Sequence, residues 1–429
     1  MSAKLSLSKM NSVNAAGIAM SEPKTLVVSY QRPSYSEVWM ERMTNMLRPN
    51  VETVYFLRRK RDVFPVVGVG ERFLLPSFLS RLPSRMAAGL LRRWIDREMS
   101  RVLKTLDKET RVLVHYVTVA VCIANAIHRC RNPVFVHCHG FDVTWKKRNE
   151  RFPFLCDHSK SYVNRVLELS KRVTFIANSE STSDRLKEIG IPKSRIVLKY
   201  IGVPVPPTCP QTADLKRDEV SVLYLGRLTD VKGPVETVRA FARARELGMK
   251  GQLVIAGDGV QKKACENEVR RLGLSQFVEM LGAVSAARAS ELMAMTDIFT
   301  AHNQRSPQTG QEEAYGVSIV EAMAAGIPVV TGRNGGVCET VLHGETGILF
   351  DPGDIKAHAA ALFRLSQDPS LRSTMGNNGF KRARDYFSLA REEQRLKEIL
   401  AINNLHSLHN SRQDSDADCL TERNQWSGE

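Results

Sequence analysis

Apolar positions along this chain fall in short dense runs rather than in strict alternation. Each run is followed by a longer stretch with helical spacing. In the second half, residues 220–225, 253–256, 277–281, 298–300 and 328–331 read as strands. Helices are predicted between them over about 234–247, up to Val269, near Glu291 and over 316–325. The first half repeats the rhythm at 25–29, 54–57, 112–115, 134–137, 173–177 and 196–198, with a helix starting at Ser36. Strands that are apolar on both faces, alternating with helices of about 10–15 residues, imply parallel sheets covered on both sides. The expected fold class is therefore α/β, with two Rossmann-like domains facing a cleft.

The boundary between the domains is marked by the segment from Gly202 to Pro210, where proline density prevents regular pairing. The reading divides the chain into a disordered start (1–23), an N-terminal domain (24–203), a linker (204–218) and a C-terminal domain (219–383). A C-terminal helix (384–402) crossing back to the first domain and a disordered polar tail (403–429) complete it. Residues 58–99 mix Arg58, Arg59, Lys60 and Arg61 with Phe73, Leu90 and Trp94 and carry few acids. That composition fits either a membrane-interface segment or a helix-and-loop insertion.

Composition narrows the picture. A hydrophobic share of 43% and a charged share of 25% belong to a soluble globular chain. No apolar run approaches the roughly 18 residues of a membrane span. Residues 1–22 lack the apolar core of a secretory signal. Eight cysteines without a C-x-x-C pair point to structural thiols in a reducing compartment. Charge is uneven: residues 1–205 hold 35 Lys and Arg against 17 Asp and Glu, a balance of +18, whereas the remainder holds 26 against 29. The first half should meet something anionic. Nucleic acid is not expected, because no aromatic-plus-basic binding motif accompanies the charge; a membrane surface or a phosphate-bearing lipid fits better.

Three clusters carry candidate chemistry. Gly226-Arg227-Leu228, leading to Lys232-Gly233, follows a strand and precedes a helix. In such sheets ligands sit beyond the C-terminal strand ends, and an Arg and a Lys there can both reach one diphosphate. Next, Gly316, Val317 and Ser318 open a helix whose N–H groups can cradle phosphate. Glu321 lies on that helix between Val320 and Ala322, so it needs a partner such as ribose hydroxyls, and Glu313 just before the helix can face a sugar. Third, a strand ends at His139-Gly140, where glycine allows close approach to a ligand. Metal binding is not expected at His137-Cys138-His139, since neighbouring strand residues point to opposite sides and no second cluster completes a site. Nor is it expected at Asp414-Ser-Asp-Ala-Asp418, which lies in the polar tail.

At these residues the chain resembles glycosyltransferase family 4, of the GT-B fold and the exopolysaccharide or colanic-acid type. The likeness rests on Gly226-Arg-Leu, Lys232-Gly, Gly257-Asp-Gly, the pair Glu313 and Glu321, Ala322-Met-Ala-Ala-Gly-Ile-Pro-Val-Val and Gly344-Glu-Thr-Gly-Ile-Leu-Phe. In the first half it rests on Ser36-Glu-Val-Trp-Met-Glu, His139-Gly-Phe-Asp and Asn178-Ser-Glu-Ser. The resemblance implies a retaining, metal-independent transfer of a sugar from a nucleoside-diphosphate sugar, with no further cofactor. The acceptor would be a glycan or lipid-linked molecule in polysaccharide biosynthesis, handled in the cytoplasm or at the inner membrane face. It implies that Arg227 and Lys232 hold the diphosphate with Gly226, Gly316, Val317 and Ser318, that Glu321 binds ribose, and that Glu313 and His139 attend the reacting sugar. One departure stands out: the loop after the first strand reads Tyr30-Gln-Arg-Pro-Ser-Tyr, without the Gly-Gly pair of many relatives. A catalytically silent nucleotide-sugar-binding subunit and a GT-B epimerase are the alternative readings.

Overall fold

The computed structural model describes residues 24–30, 38–48, 50–51, 53–56, 70–74, 84–143, 160–210 and 219–401. The expectations for the two chain ends, for most of the loop after Tyr30 and for Arg58–Arg61 therefore fall outside the described residues.

The first domain runs β1 (Thr25–Ser29), α1 (Val38–Met46), β2 (Thr53–Phe56), β3 (Gly70–Phe73), α2 (Ser84–Lys104), β4 (Arg111–His115), α3 (Val117–Cys122), α4 (Ala124–Arg129), β5 (Val134–His137), α5 (Lys160–Leu169), β6 (Val173–Ala177), α6 (Glu180–Glu188) and β7 (Ile196–Leu198). The second runs β8 (Val220–Leu225), α7 (Pro234–Glu246), β9 (Gly251–Ala256), α8 (Lys262–Arg271), β10 (Val278–Gly282), α9 (Ala286–Ala294), β11 (Ile298–Ala301), α10 (Val317–Ala324), β12 (Val329–Gly332), α11 (Val337–Thr340) and β13 (Gly347–Phe350). Helices α12 (Ile355–Gln367), α13 (Pro369–Tyr386) and α14 (Leu389–Ala401) follow.

Both sheets are parallel, and both have the same winding. Their orders are β3-β2-β1-β4-β5-β6-β7 and β10-β9-β8-β11-β12-β13. In each, the chain starts in the middle, builds outward, then returns to build the other way. The crevice where the direction reverses, beyond the C-terminal strand ends, is where such sheets bind ligands. Here those crevices lie at β1/β4 and β8/β11. Strands β1, β4, β5 and β6 are buried along their whole length, which is why their sequences are continuous apolar runs. Edge strand β3 instead alternates exposed and half-buried positions, so Gly70-Glu-Arg-Phe73 was invisible to a search for such runs.

The C-terminal helix expected over 384–402 is divided. Helix α13 ends at Tyr386, and α14 starts at Leu389 on the first domain. Between them Ser388 pairs with Val203, the Val203 N–H donating to Phe387 at 2.9 Å and the Leu389 N–H to Val203 at 3.1 Å. The outgoing and returning chain segments thus run side by side. Helix α14 is fastened by a fully buried ion pair between Lys199 and Glu392, whose second oxygen accepts the Gly202 N–H at 2.7 Å. The Arg111 guanidinium donates to the Leu400 carbonyl at 2.7 Å.

Two imidazoles occupy the interior of the second domain. Nδ1 of His302 lies 3.0 Å from Nδ1 of His358, whose Nε2 is 2.7 Å from the Thr300 hydroxyl, and Nε2 of His302 accepts the Gly353 N–H at 2.9 Å. Burial pushes His302 down to about 4 and His358 well below the usual imidazole range.

Candidate active site between the two domains

Leu225 ends β8, and the chain turns through Gly226 and Arg227 into the helical turn Asp230–Lys232. Gly233 then takes φ +54° and is packed so closely on His302 that a Cβ would lie 2.3 Å from that carbonyl. Pro234 opens α7. This sharp, rigid turn aims Lys232 back across the strand ends. Opposite it, Gly316 adopts φ +85° as the cap of α10, the left-handed conformation glycine takes without penalty.

Glu313 joins the two loops. Its Oε2 lies 2.6 Å from Lys232 Nζ, and its Oε1 accepts the Gly316 N–H at 3.1 Å. Its own backbone is fixed by the Asn334 side chain, 3.0 Å from its N–H, and by the Gly336 N–H at 2.9 Å. Burial pushes this carboxyl up, but Lys232, Arg227 and the adjacent backbone outweigh it and hold the group below its ordinary value. A carboxylate facing the N-terminus of α10 also gains from the partial positive charge there. Arg227 is exposed at the rim, whereas Val317 and Ser318 begin α10.

Glu321, one and a half turns further along, has a partner the sequence did not suggest: Arg42 of α1, 3.2 Å away and 279 residues distant. Burial raises the Glu321 carboxyl and Arg42 opposes the shift. The first domain reaches across the cleft at other points too. Gly140, at φ +94°, abuts Ala314 so closely that a Cβ would lie 2.5 Å from the alanine Cβ. His139 and Glu313 therefore flank one interdomain contact. Arg185 of α6 pairs with Glu312 at 3.0 Å, and Glu339 accepts the Glu180 and Ser181 N–H groups at 2.7 and 2.8 Å, a cap supplied to α6 by the other domain. A cavity of about 140 Å³ lies here, lined among others by Gly140, Thr182, Arg305, Glu312 and Glu313.

His139 is held from behind by Asp142, whose carboxylate accepts the His139 and Val117 N–H groups, both at 2.9 Å. Burial lifts Asp142 to about 6 against the pull of those N–H groups. The His139 ring stacks on Trp39 with centroids 4.2 Å apart. Burial, then His115 and Lys199, push its pKa well below the usual range, so it is neutral.

The reading of His137-Cys138-His139 as an isolated triplet needs correction. Cys138 does point away, but His137 and His139 are two residues apart and share a side. His115, paired in register with His137 on the neighbouring strand, joins them. The signal was present: β4 and β5 end alike, as Val-Leu-Val-His115 and Val-Phe-Val-His137.

Residues 210–382 match the family model described as glycosyl transferases group 1. Among curated relatives, a 2-deoxystreptamine N-acetyl-D-glucosaminyltransferase of Niallia circulans is 28% identical over 56% of this chain and 61% of its own length. A GDP-mannose-dependent alpha-(1-6)-phosphatidylinositol monomannoside mannosyltransferase of Mycolicibacterium smegmatis is 32% identical over 43% and 48%. The chain thus spans between about half and three fifths of these two relatives. Among solved structures, Anabaena Alr3699/HepE in complex with UDP aligns with a TM-score of 0.68 and 21% identity, over 88% of this chain and 99% of that one. The arrangement of two Rossmann-like domains is thus the fold of the GT-B glycosyltransferases.

Proposed function

We propose that the chain is a retaining glycosyltransferase that moves a sugar from a nucleoside-diphosphate sugar to a glycan or lipid-linked acceptor in polysaccharide biosynthesis. The observation that carries this is Lys232 and the α10 N-terminus converging on Glu313, directly opposite His139-Gly140. In this reading Arg227, Lys232 and the backbone of Gly226, Gly316, Val317 and Ser318 hold the diphosphate. A diphosphate there gains charge-assisted hydrogen bonds and helix N–H groups. Glu321 takes the ribose hydroxyls. Glu313 and His139 act on the donor sugar, where positive charge develops as the bond to the leaving diphosphate lengthens. The departing phosphate oxygen takes the acceptor proton on the same face, which gives retention. Lysine and arginine neutralise the leaving group, so transfer needs no divalent ion and proceeds in chelator.

The acceptor side is placed at the inner face of the cytoplasmic membrane. Supporting this, α2 exposes Leu90 (70%) and Trp94 (41%) on a face that also carries Arg93, Arg97 and Arg101. That is the composition of an interfacial helix. No helix among the described residues is long and apolar enough to cross a membrane. Purified protein should pellet with phosphatidylglycerol vesicles at low salt and not at high salt, as screening shortens from about 10 Å at 0.1 M to about 3 Å at 1 M.

The deciding experiment is release of nucleoside diphosphate from a panel of sugar nucleotides. Turnover should appear with one of them and fall at least a hundredfold in Arg227→Ala and Lys232→Ala. Binding without turnover across the panel would instead identify a silent binding subunit.

A further inference from the structure

Three imidazoles meet where the first sheet changes winding direction. His115 ends β4, His137 ends β5 beside it, and His139 follows on the same side. One ring nitrogen from each lies within 4.8 Å of the other two. His115 and His137 are wholly buried. Both nitrogens of each, and Nε2 of His139, are buried without a hydrogen-bond partner among the described residues. Every neutral imidazole carries one donor and one acceptor, and leaving such a group buried and unpaired costs about 1–3 kcal/mol. Five nitrogens in this condition at one spot are not what packing alone selects.

The surroundings narrow what would satisfy them. Trp39 covers the group, stacked on His139 at 4.2 Å and edge-on to His115 and His137 at 5.6 and 6.0 Å. Cys138 is turned away, its Sγ nearest the Val136 carbonyl, and the Asp142 carboxylate is engaged by backbone N–H groups. Among the described residues the cluster therefore offers nitrogen donors only. Tyr116, immediately after His115, has φ +72°, the only positive value at a non-glycine among the described residues. Strain of this kind persists where the surroundings hold the backbone in place, and it clusters at functional sites. It lies directly after His115, which the β4–β5 register sets beside His137.

We infer that His115, His137 and His139 form a binding site for one divalent cation of the borderline class, best suited to zinc, with a fourth position left for water. Three imidazoles around an open position are a recurrent zinc donor set, with metal–nitrogen distances of about 2.0–2.1 Å. Ligand nitrogens in such a tetrahedron are about 3.4 Å apart, so the rings close by roughly an ångström when the ion enters, a movement side-chain rotation supplies. Softer thiolate selectivity is absent because Cys138 is excluded, and the hard cations calcium and magnesium are disfavoured because the grouped ligands among the described residues are all imidazoles. The site shares His139 with the donor-sugar contact proposed above, a ring the ion would orient rather than replace, and lies apart from the diphosphate clamp of the other domain.

The test needs no knowledge of the sugar donor. Untagged full-length protein, stripped with chelator and dialysed against zinc chloride, should retain about one equivalent. With cobalt chloride it should develop the intense visible bands of a four-coordinate ion. His115→Asn and His137→Asn should each lower zinc affinity at least tenfold while far-UV circular dichroism stays unchanged. Cobalt spectra of the unaltered protein keep the outcome decisive even if a variant misfolds. Zinc content well below one tenth of an equivalent, cobalt spectra of the six-coordinate aquo type, or undiminished retention in both folded variants would overturn the assignment.

Discussion

Lys232 and Glu313 hold one another at 2.6 Å across the strand ends of the second sheet, both nearly enclosed. The pair occupies the place proposed for a diphosphate, so anion binding has to draw the lysine away from the glutamate. Glu313→Gln removes that competition. It should leave nucleoside-diphosphate affinity equal to or tighter than the parent's while turnover falls about a hundredfold or more, the loss typical of a charge aimed at the reacting centre. Lys232→Ala should weaken both, with about 2–5 kcal/mol lost from nucleotide binding. Calorimetric titration beside steady-state turnover separates the two; a matching loss of nucleotide affinity in Glu313→Gln would exclude this arrangement.

Arg42 competes in the same way at Glu321. If the carboxylate receives ribose hydroxyls, the arginine must yield. Arg42→Ala should then tighten nucleoside-diphosphate binding several-fold, since a partly exposed pair is worth about 0–1 kcal/mol. Glu321→Ala should weaken binding at least tenfold. Isothermal titration of both variants checks this, and weaker binding in Arg42→Ala would mean that the arginine itself contacts the nucleotide.

At Gly140 the domains touch with no room for a side chain. Gly140→Ala introduces a methyl group where Ala314 already sits and also forces a side chain into positive φ. Turnover should fall strongly while the second domain's nucleotide affinity changes little. Small-angle scattering should show a wider cleft.

Lys199 and Glu392 lie deep between β7 and α14. Removing one partner strands a buried charge, so Glu392→Ala should cost about 3–5 kcal/mol in urea unfolding. The double change Lys199→Met with Glu392→Leu should recover much of that, falling short by the Gly202 N–H left without its acceptor.

Acid stability should depend on His302 and His358. Their folded-state values are depressed by burial, to about 4 for His302, against an unfolded value near 6.5. Between those limits the unfolded chain binds more protons, so the contribution present above pH 6.5 is lost as pH falls towards 4. His358→Gln should flatten the melting temperature against pH over that window. An unchanged slope would exclude the pair as a source of acid lability.

How much of this was readable from sequence follows from where the information resides. Strands such as Val134–His137 and Val173–Ala177 are covered on both faces, so burial is written into consecutive letters. Strand Gly70–Phe73 lies at a sheet edge with charged side chains, and its identity comes from pairing with Thr53–Phe56 rather than from its own residues. The same division holds at the cleft. Lys232, Glu313 and Glu321 sit on a loop and one helix, where spacing constrains geometry. Arg42 meets Glu321 only through the fold, and no local pattern encodes that meeting, whereas the matching ends of β4 and β5 carry a trace of the register that brings His115 to His137.

The paired crossing at Val203 and Ser388 has a mechanical consequence. A single tether would let one domain swivel and slide freely over the other. Two strands of chain, bonded to each other where they cross, resist twist and translation more than one would. A cleft that opens about this crossing parts the Gly140–Ala314 edge and the Arg42–Glu321 edge together, so whatever enters at one side is felt at the other.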